Sequence, residues 1–152
     1  MPAQFVHLRL HSAFSLTEST LRISTLTKLV SEDFQPAAAI TDTNNMFGAL
    51  EFAKSMAAAG VQPIMGTQIE LEDQAGRGDV VLLAQNETGY VNLSQLLSKI
   101  LLSSDGAQKP VCTLRDLAGY SDGLILLTGG ALTGFVGGPA GDERANLVQQ
   151  RV

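Results

Sequence analysis

The stretch Ala37–Leu71, AAAITDTNNMFGALEFAKSMAAAGVQPIMGTQIEL, decides the fold. Ala37 to Thr41 is short and apolar, as a buried strand is, and the polar run Asp42, Thr43, Asn44, Asn45 after it reads as a loop. Phe47 to Ala59 has helical character and is stopped by Gly60, after which Val61 to Leu71 reads as a second strand. That is one complete strand–loop–helix–strand step.

Working outward, the same alternation recurs. Phe5 to His11 reads as a first strand, with Val6, Leu8 and Leu10 on one face and Phe5, His7, Arg9 and His11 on the other. LRISTLTKLVSED then sets Leu21, Leu26, Leu29 and Val30 at helical spacing, with Glu18 and Thr20 near its start and Pro36 closing it. On the far side, EDQAGRGD separates the strand ending at Leu71 from VVLLA (80–84); a hairpin or two merely neighbouring strands fit, and neighbours are expected. Thr88 to Ser103 predicts an amphipathic helix carrying Val91, Leu93, Leu96, Leu97, Ile100 and Leu101; a helical turn follows near Thr113–Leu117, and GLILLTGG predicts another buried strand. The glycine-rich TGFVGGPAG is loose, and DERANLVQQRV opens a helix capped by Asp142 that stops at Val152 without a C-cap signal, as a truncated chain would. The expected class is α/β, with helices flanking a largely parallel sheet.

Composition narrows the function. A chain of 152 residues, 45 % apolar and 16 % charged, buries the core of one domain, which excludes general disorder. Its net charge of −5 lacks the positive field that grips DNA or an anionic membrane. No apolar run reaches the ~20 residues of a membrane span, and MPAQFVHLRLHS lacks the layout of a secretion signal, so a cytoplasmic location is expected. One cysteine, Cys112, and two histidines exclude disulfide frameworks and thiolate zinc sites.

His11, Asp42, Gln68 and the glycine pair Gly129–Gly130 each stand where a predicted strand gives way to its loop, the edge at which α/β folds bind ligands. The histidines with Glu18, Asp42 and Asp79 match the donor types of a zinc or manganese site, although a strand histidine is more often simply hydrogen-bonded. Arg9 argues against an ion, because a guanidinium has no lone pair to give and repels a cation; it is expected to pair with Glu18, Asp42 or Asp79 instead. Ser12 next to His11 suggests a nucleophile and its base, but adjacent strand residues point to opposite faces. The glycines fit no nucleotide-binding loop.

Taken together, FVHLRLHSAFSL, AITDTNNMFGALEFAKSMAAAGVQPIMGTQIEL, VVLLAQNETGYVNLSQLLSK and DGLILLTGG resemble the amino-terminal PHP (polymerase and histidinol phosphatase) domain of bacterial replicative polymerase alpha subunits. The resemblance runs from about Phe5 to Gly130. It implies a seven-stranded (βα) barrel, with this chain supplying the first half or so, and in intact members a metal cluster at one barrel mouth that serves a phosphoesterase or a proofreading exonuclease.

Carried over residue by residue, the resemblance implies a decayed site. The family's His-x-His falls on Arg9 and His11, its acidic residue on Glu18, and its Thr-Asp-His on Thr41, Asp42 and Thr43. Its glutamate falls on Gln68, a further histidine on Asp79, and its cysteine on Gly130. The implied role is a structural and docking element with no catalytic residues, metal or cofactor of its own, inside a polypeptide that synthesises DNA with Mg in domains absent here. The implied partners are the remainder of that polypeptide and a proofreading exonuclease subunit, with DNA reached only through the parent chain and no membrane. The rival is a residual metal-dependent phosphoesterase or pyrophosphatase using His11, Glu18, Asp42 and Asp79. A half-barrel also leaves an open edge at Leu124–Leu127, expected to self-associate unless GGALTGFVGGPAG folds back across it.

Overall fold

The computed structural model describes residues 5–74, 76–104, 109–130 and 133–135. α1 (Ile23–Glu32) forms because Ile23, Leu26, Thr27 and Val30 fall on one stripe and are buried there. Thr27 Oγ1 also meets Ser55 Oγ at 2.8 Å and so ties α1 to α2 (Ala49–Ala58). Between them runs β1 (Ala37–Ile40), whose Ala38 and Ala39 are fully buried and small enough to let backbone pass on either side.

β1 pairs in parallel with β2 (Gln62–Asp73), as the deciding stretch predicts. β2 then turns directly back into β3 (Gly76–Ala84), antiparallel, with Gly66 opposite Leu83 and Asp73 opposite Gly76. This corrects the expectation of separate neighbouring strands. The separator supplies strand on both sides of a turn at Gln74: Glu72 faces Arg77 across the hairpin, and the guanidinium reaches both Glu72 (2.9 Å) and Glu70 (3.7 Å).

α3 (Glu87–Ser103), capped by Asn86 Oδ1 accepting from Gly89 N–H, lies on the sheet through Leu93, Leu96, Leu97 and Ile100. Val91 and Leu101, expected on that face, are exposed. β4 (Val111–Thr113), not anticipated, pairs in parallel with Glu70–Glu72 of β2 and leads into the short α4 (Leu114–Ala118). β5 (Leu124–Leu127) runs antiparallel to β3. The five-stranded sheet is therefore mixed, in the order β1-β2-β3-β5 with β4 on β2. Four strands share one direction and β3 alone opposes them, so the sheet expected to be largely parallel is mixed, and the C-terminal end of β3 lies at the opposite edge from theirs.

The expected first strand, Phe5–His11, is an extended segment along β1 with a single bridge, His7 to Ala38. Its carbonyls do accept from β1, at His7 O (from Ala39 N–H) and Leu10 O (from Thr41 N–H), both 2.8 Å. Its donors go to side chains instead: His7 N–H to Gln35 Oε1 (3.1 Å) and Leu10 N–H to Thr41 Oγ1 (3.0 Å), so no regular ladder forms. Leu10 packs on the α1–α2 cluster, whereas Leu8 is more than a third exposed.

The main core joins Ile69, Leu71, Val80 and Leu82 of the hairpin to the buried face of α3, with Cys112, Leu117 and Phe135. Each fully buried leucine there contributes about 1.5–3 kcal/mol. Phe135 arrives on a returning segment in which Asp79 N–H donates to Thr133 O (2.9 Å) and Phe135 N–H to Asp79 O (3.0 Å). It passes so close that a Cβ at Gly78 would lie 2.5 Å from Phe135 Cα. Part of GGALTGFVGGPAG thus folds back, covering the edge of β3 that β5 leaves free. β5, expected to be buried, has Ile125 and Leu126 substantially exposed and pairs only with β3 among the described residues. The predicted helix from Asp142 lies outside the described residues.

Candidate functional site

Thr43, Gln68, Val81 and Leu127 lie side by side across the sheet, which puts the exits of β1 and β5 at one mouth. Gln68 is not at a strand end, as expected, but midway along β2, because β2 runs on to Asp73 beside β4.

The mouth is built from one hydrogen-bond chain. Arg9 Nε–H donates to Gln68 Oε1 at 2.8 Å. His11 Nε2 meets the same oxygen at 3.2 Å, and its Nδ1 lies 3.1 Å from Glu18 Oε2. Thr43 Oγ1 donates to that Glu18 oxygen at 2.6 Å. Since Arg9 fixes the Gln68 oxygen toward the ring and Glu18 faces the other nitrogen, His11 meets acceptors on both sides, and it donates to both only when carrying both protons. Arg9, expected to pair with a carboxylate, pairs with the Gln68 amide instead. Glu18 and Asp42 take their donors from His11, Thr43, Ser12 and Ser15 instead.

Asp42 takes no part in that chain. It is buried, and its Oδ1 accepts from Ser12 N–H and Ser15 Oγ, both 2.6 Å, while Oδ2 accepts from Ser12 Oγ at 2.7 Å. Ser15 Oγ in turn accepts from Thr43 N–H at 3.1 Å, linking this cage to the mouth. Thr67 Oγ1 donates to Asp42 O at 2.7 Å. Ser15 is a site residue the sequence reading missed, and Ser12 entered it only as a nucleophile; their spacing in HSAFSL, hydroxyls three apart just past an extended segment, was the available signal. Ser12, considered as a nucleophile, donates its proton to Asp42 and is buried.

Of the remaining positions, Gly130 lies beside Arg9, whose Nη1 would be 4.0 Å from a Cβ built there. Asp79 sits on β3 opposite Glu70 and holds the returning segment by its backbone, and its side chain joins none of the mouth's hydrogen bonds. The loop also carries Asn44 at φ 56°, with a buried Oδ1 that has no hydrogen-bond partner. Among the described residues, no three His, Cys, Asp or Glu side chains are grouped so as to share an ion.

The five-stranded mixed sheet with its flanking helices resembles the folds of two solved proteins. A candidate metal-dependent phosphoesterase from Bifidobacterium adolescentis superposes with a TM-score of 0.55 at 20 % identity, covering 67 % of this chain and 35 % of its own. An amidohydrolase from Chromobacterium violaceum gives 0.53 at 20 % identity, over 62 % of this chain and 32 % of its own. The chain belongs to the PHP domain family, whose model matches residues 7–150. Curated relatives include DNA polymerase III subunit alpha of Caulobacter vibrioides, 44 % identical over 134 residues, and that of Escherichia coli K12, 37 % identical over 133. These matches cover 83 % and 85 % of this chain but only 12 % and 11 % of the relatives' length.

Proposed function

We propose that this chain serves as the PHP domain of a bacterial replicative DNA polymerase alpha polypeptide, with a hydrolytic site that is silent and a role as structural element and docking surface for a separate proofreading exonuclease subunit. The observation that carries this reading is the hydrogen-bond chain Arg9–Gln68–His11–Glu18–Thr43 along the mouth. An ion there would need lone pairs aimed at a common point, and most of the candidates are already engaged: Gln68 Oε1 with Arg9 and His11, Glu18 Oε2 with His11 and Thr43, and both Asp42 oxygens with the serine cage. Arg9 adds a fixed positive charge where the family's ions sit. The residues present do not fit a metal.

On the same reading, strands after Val152 complete a seven-stranded barrel, and Mg-dependent nucleotidyl transfer belongs to later domains of the parent. DNA is met only through those domains, consistent with a net charge of −5. The working location is the cytoplasm, where the chromosome is copied. Without the later strands, the half-exposed β5 is the edge through which copies would associate.

Elemental analysis of the purified protein, paired with hydrolysis of a phosphomonoester and of pyrophosphate in added Mn²⁺ or Zn²⁺, tests the silent site. The expected result is no stoichiometric metal and no turnover above buffer. An ion held through His11, with turnover lost in His11→Ala, replaces this reading with that of a residual phosphoesterase. Calorimetric titration of the parent polypeptide with the exonuclease subunit tests docking separately.

A further inference from the structure

β1 stands at the edge of the sheet, and residues 5–21 run along the side it turns away from β2. Two amides depend on that segment: Ala39 N–H donates to His7 O and Thr41 N–H to Leu10 O, both at 2.8 Å. The alternation of a strand turns the amides of Ala38 and Ile40 the other way, toward the paired β2.

The segment is not fastened as a strand is. Beyond its single bridge, His7 to Ala38, it is held largely by side chains: Ser12 and Ser15 on Asp42, Arg9 on Gln68, Thr43 Oγ1 on Glu18, and Asn45 Nδ2 on Phe14 O at 3.1 Å. Leu10 and Leu21 pack on the α1–α2 cluster, whereas Phe5, Leu8, Phe14 and Leu16 are exposed. It is also closed on itself, since Ala13 N–H donates to Leu21 O (2.8 Å), Ser19 Oγ donates to His11 O (2.9 Å), and His11 and Glu18 pair within it. A stretch with its own internal fastenings, a polar seam and little buried apolar surface has the features of a unit that opens at lower cost than the sheet. Lifting it strands no polar group, because Asp42 and Gln68 then meet water in place of their present donors.

We propose that residues 5–21 form a strap that lifts from the sheet and docks again as one unit while β1, β2 and β3 stay paired, and that the mouth exists only in the docked state. Arg9, His11 and Glu18 leave with the strap, while Thr43 and Gln68 remain with the sheet. The mouth is thereby a conditional surface, and a ligand touching both of its sides holds the strap down.

Native-state hydrogen exchange, followed by NMR on the whole chain, tests this, with Arg9→Met and Ser15→Ala each cutting a different fastening. After correction for intrinsic chemical rates, Ala39 and Thr41 are expected to exchange at least about tenfold faster than Ala38 and Ile40, because the first pair needs only the strap to lift. Urea below the unfolding transition should speed Ala38, Ile40 and Leu96 of α3 and leave Ala39 and Thr41 nearly unchanged, since lifting the strap exposes little surface. In each variant Ala39 and Thr41 should accelerate together, by about tenfold in Arg9→Met. If Ala39 and Thr41 exchange in step with Ala38 and Ile40, with the same urea dependence, the strap leaves only when the sheet unfolds and the proposal falls. Acceleration of one of the two amides without the other overturns it as well, because residues 5–21 then fray piecemeal.

Discussion

Two carboxylates, Asp42 in the mouth and Asp116 at the corner of α3, β4 and α4, hold similar sets of partners in opposite settings. Asp42 is 1 % exposed and takes donors from residues 27 and 30 positions away. Asp116 closes a capping box with Thr113, three positions away, and accepts from Lys99 Nζ at 2.6 Å on a partly exposed surface. The first fastens separate parts of the chain together; the second trims the start of one short helix. The difference shows that burial and sequence separation, more than the number of hydrogen bonds, decide what a polar cluster does for a fold.

The largest expected effect is therefore Asp42→Ala, which strands the Ser12 N–H, Ser12 Oγ and Ser15 Oγ donors in the interior. Urea unfolding should show a loss of about 3–5 kcal/mol. A loss under about 1 kcal/mol would break the comparison.

Cys112 comes next, fully buried beside the corner, where burial and then the Asp116 charge push its thiol from 9.0 to about 11. A pKa raised by folding leaves stability intact below the unfolded value and erodes it as pH climbs to the folded one. Stability should fall by about 2–3 kcal/mol between pH 9 and 11, with a flatter slope in Cys112→Ala.

Gln68→Leu removes the acceptor shared by Arg9 and His11, and should cost about 1–2 kcal/mol in the same urea titration. A neutral result would mean that water replaces the amide at no cost, and that the mouth weighs no more than the exposed corner.

The smallest effect belongs to Lys99→Met. Its hydrogen bond to Asp116 holds the lysine above its usual pKa and the carboxyl below the carboxylate range. The pair's stabilisation is thus present between those ranges, lost as pH falls through the carboxyl's folded pKa, and lost again as pH rises through the lysine's. A slight lowering of Tm that about 1 M salt abolishes would sharpen the contrast with Asp42.

Periodicity made α1, β1, α2 and α3 legible, because each buries one regular stripe or run. It failed where charged residues occupy strands: Glu72 and Arg77 look like a linker, yet they pair across the β2–β3 hairpin, where Arg77 also reaches Glu70. It failed again at Phe5–His11, whose alternation is genuine but whose N–H groups are taken by the side chains of Gln35 and Thr41. In the site, Arg9, His11, Glu18, Thr43 and Gln68 meet through one another's side chains, whereas the Asp79 side chain stays out of their hydrogen bonds. That Arg9 would choose an amide and that serines would enclose Asp42 depended on distances no spacing encodes.

The reversed direction of β3 bears on how the chain assembles. β2 and β3 are joined by a tight turn between Asp73 and Gly76, so their ladder closes over a short span and can form within microseconds. The parallel partners of β2 come from far along the chain on either side, at Ala37–Ile40 and Val111–Thr113, and must close long loops to dock. During synthesis the hairpin is complete once Ala84 has emerged, with β1 already available. The edges onto which β4 and β5 later dock are therefore formed before either strand leaves the ribosome.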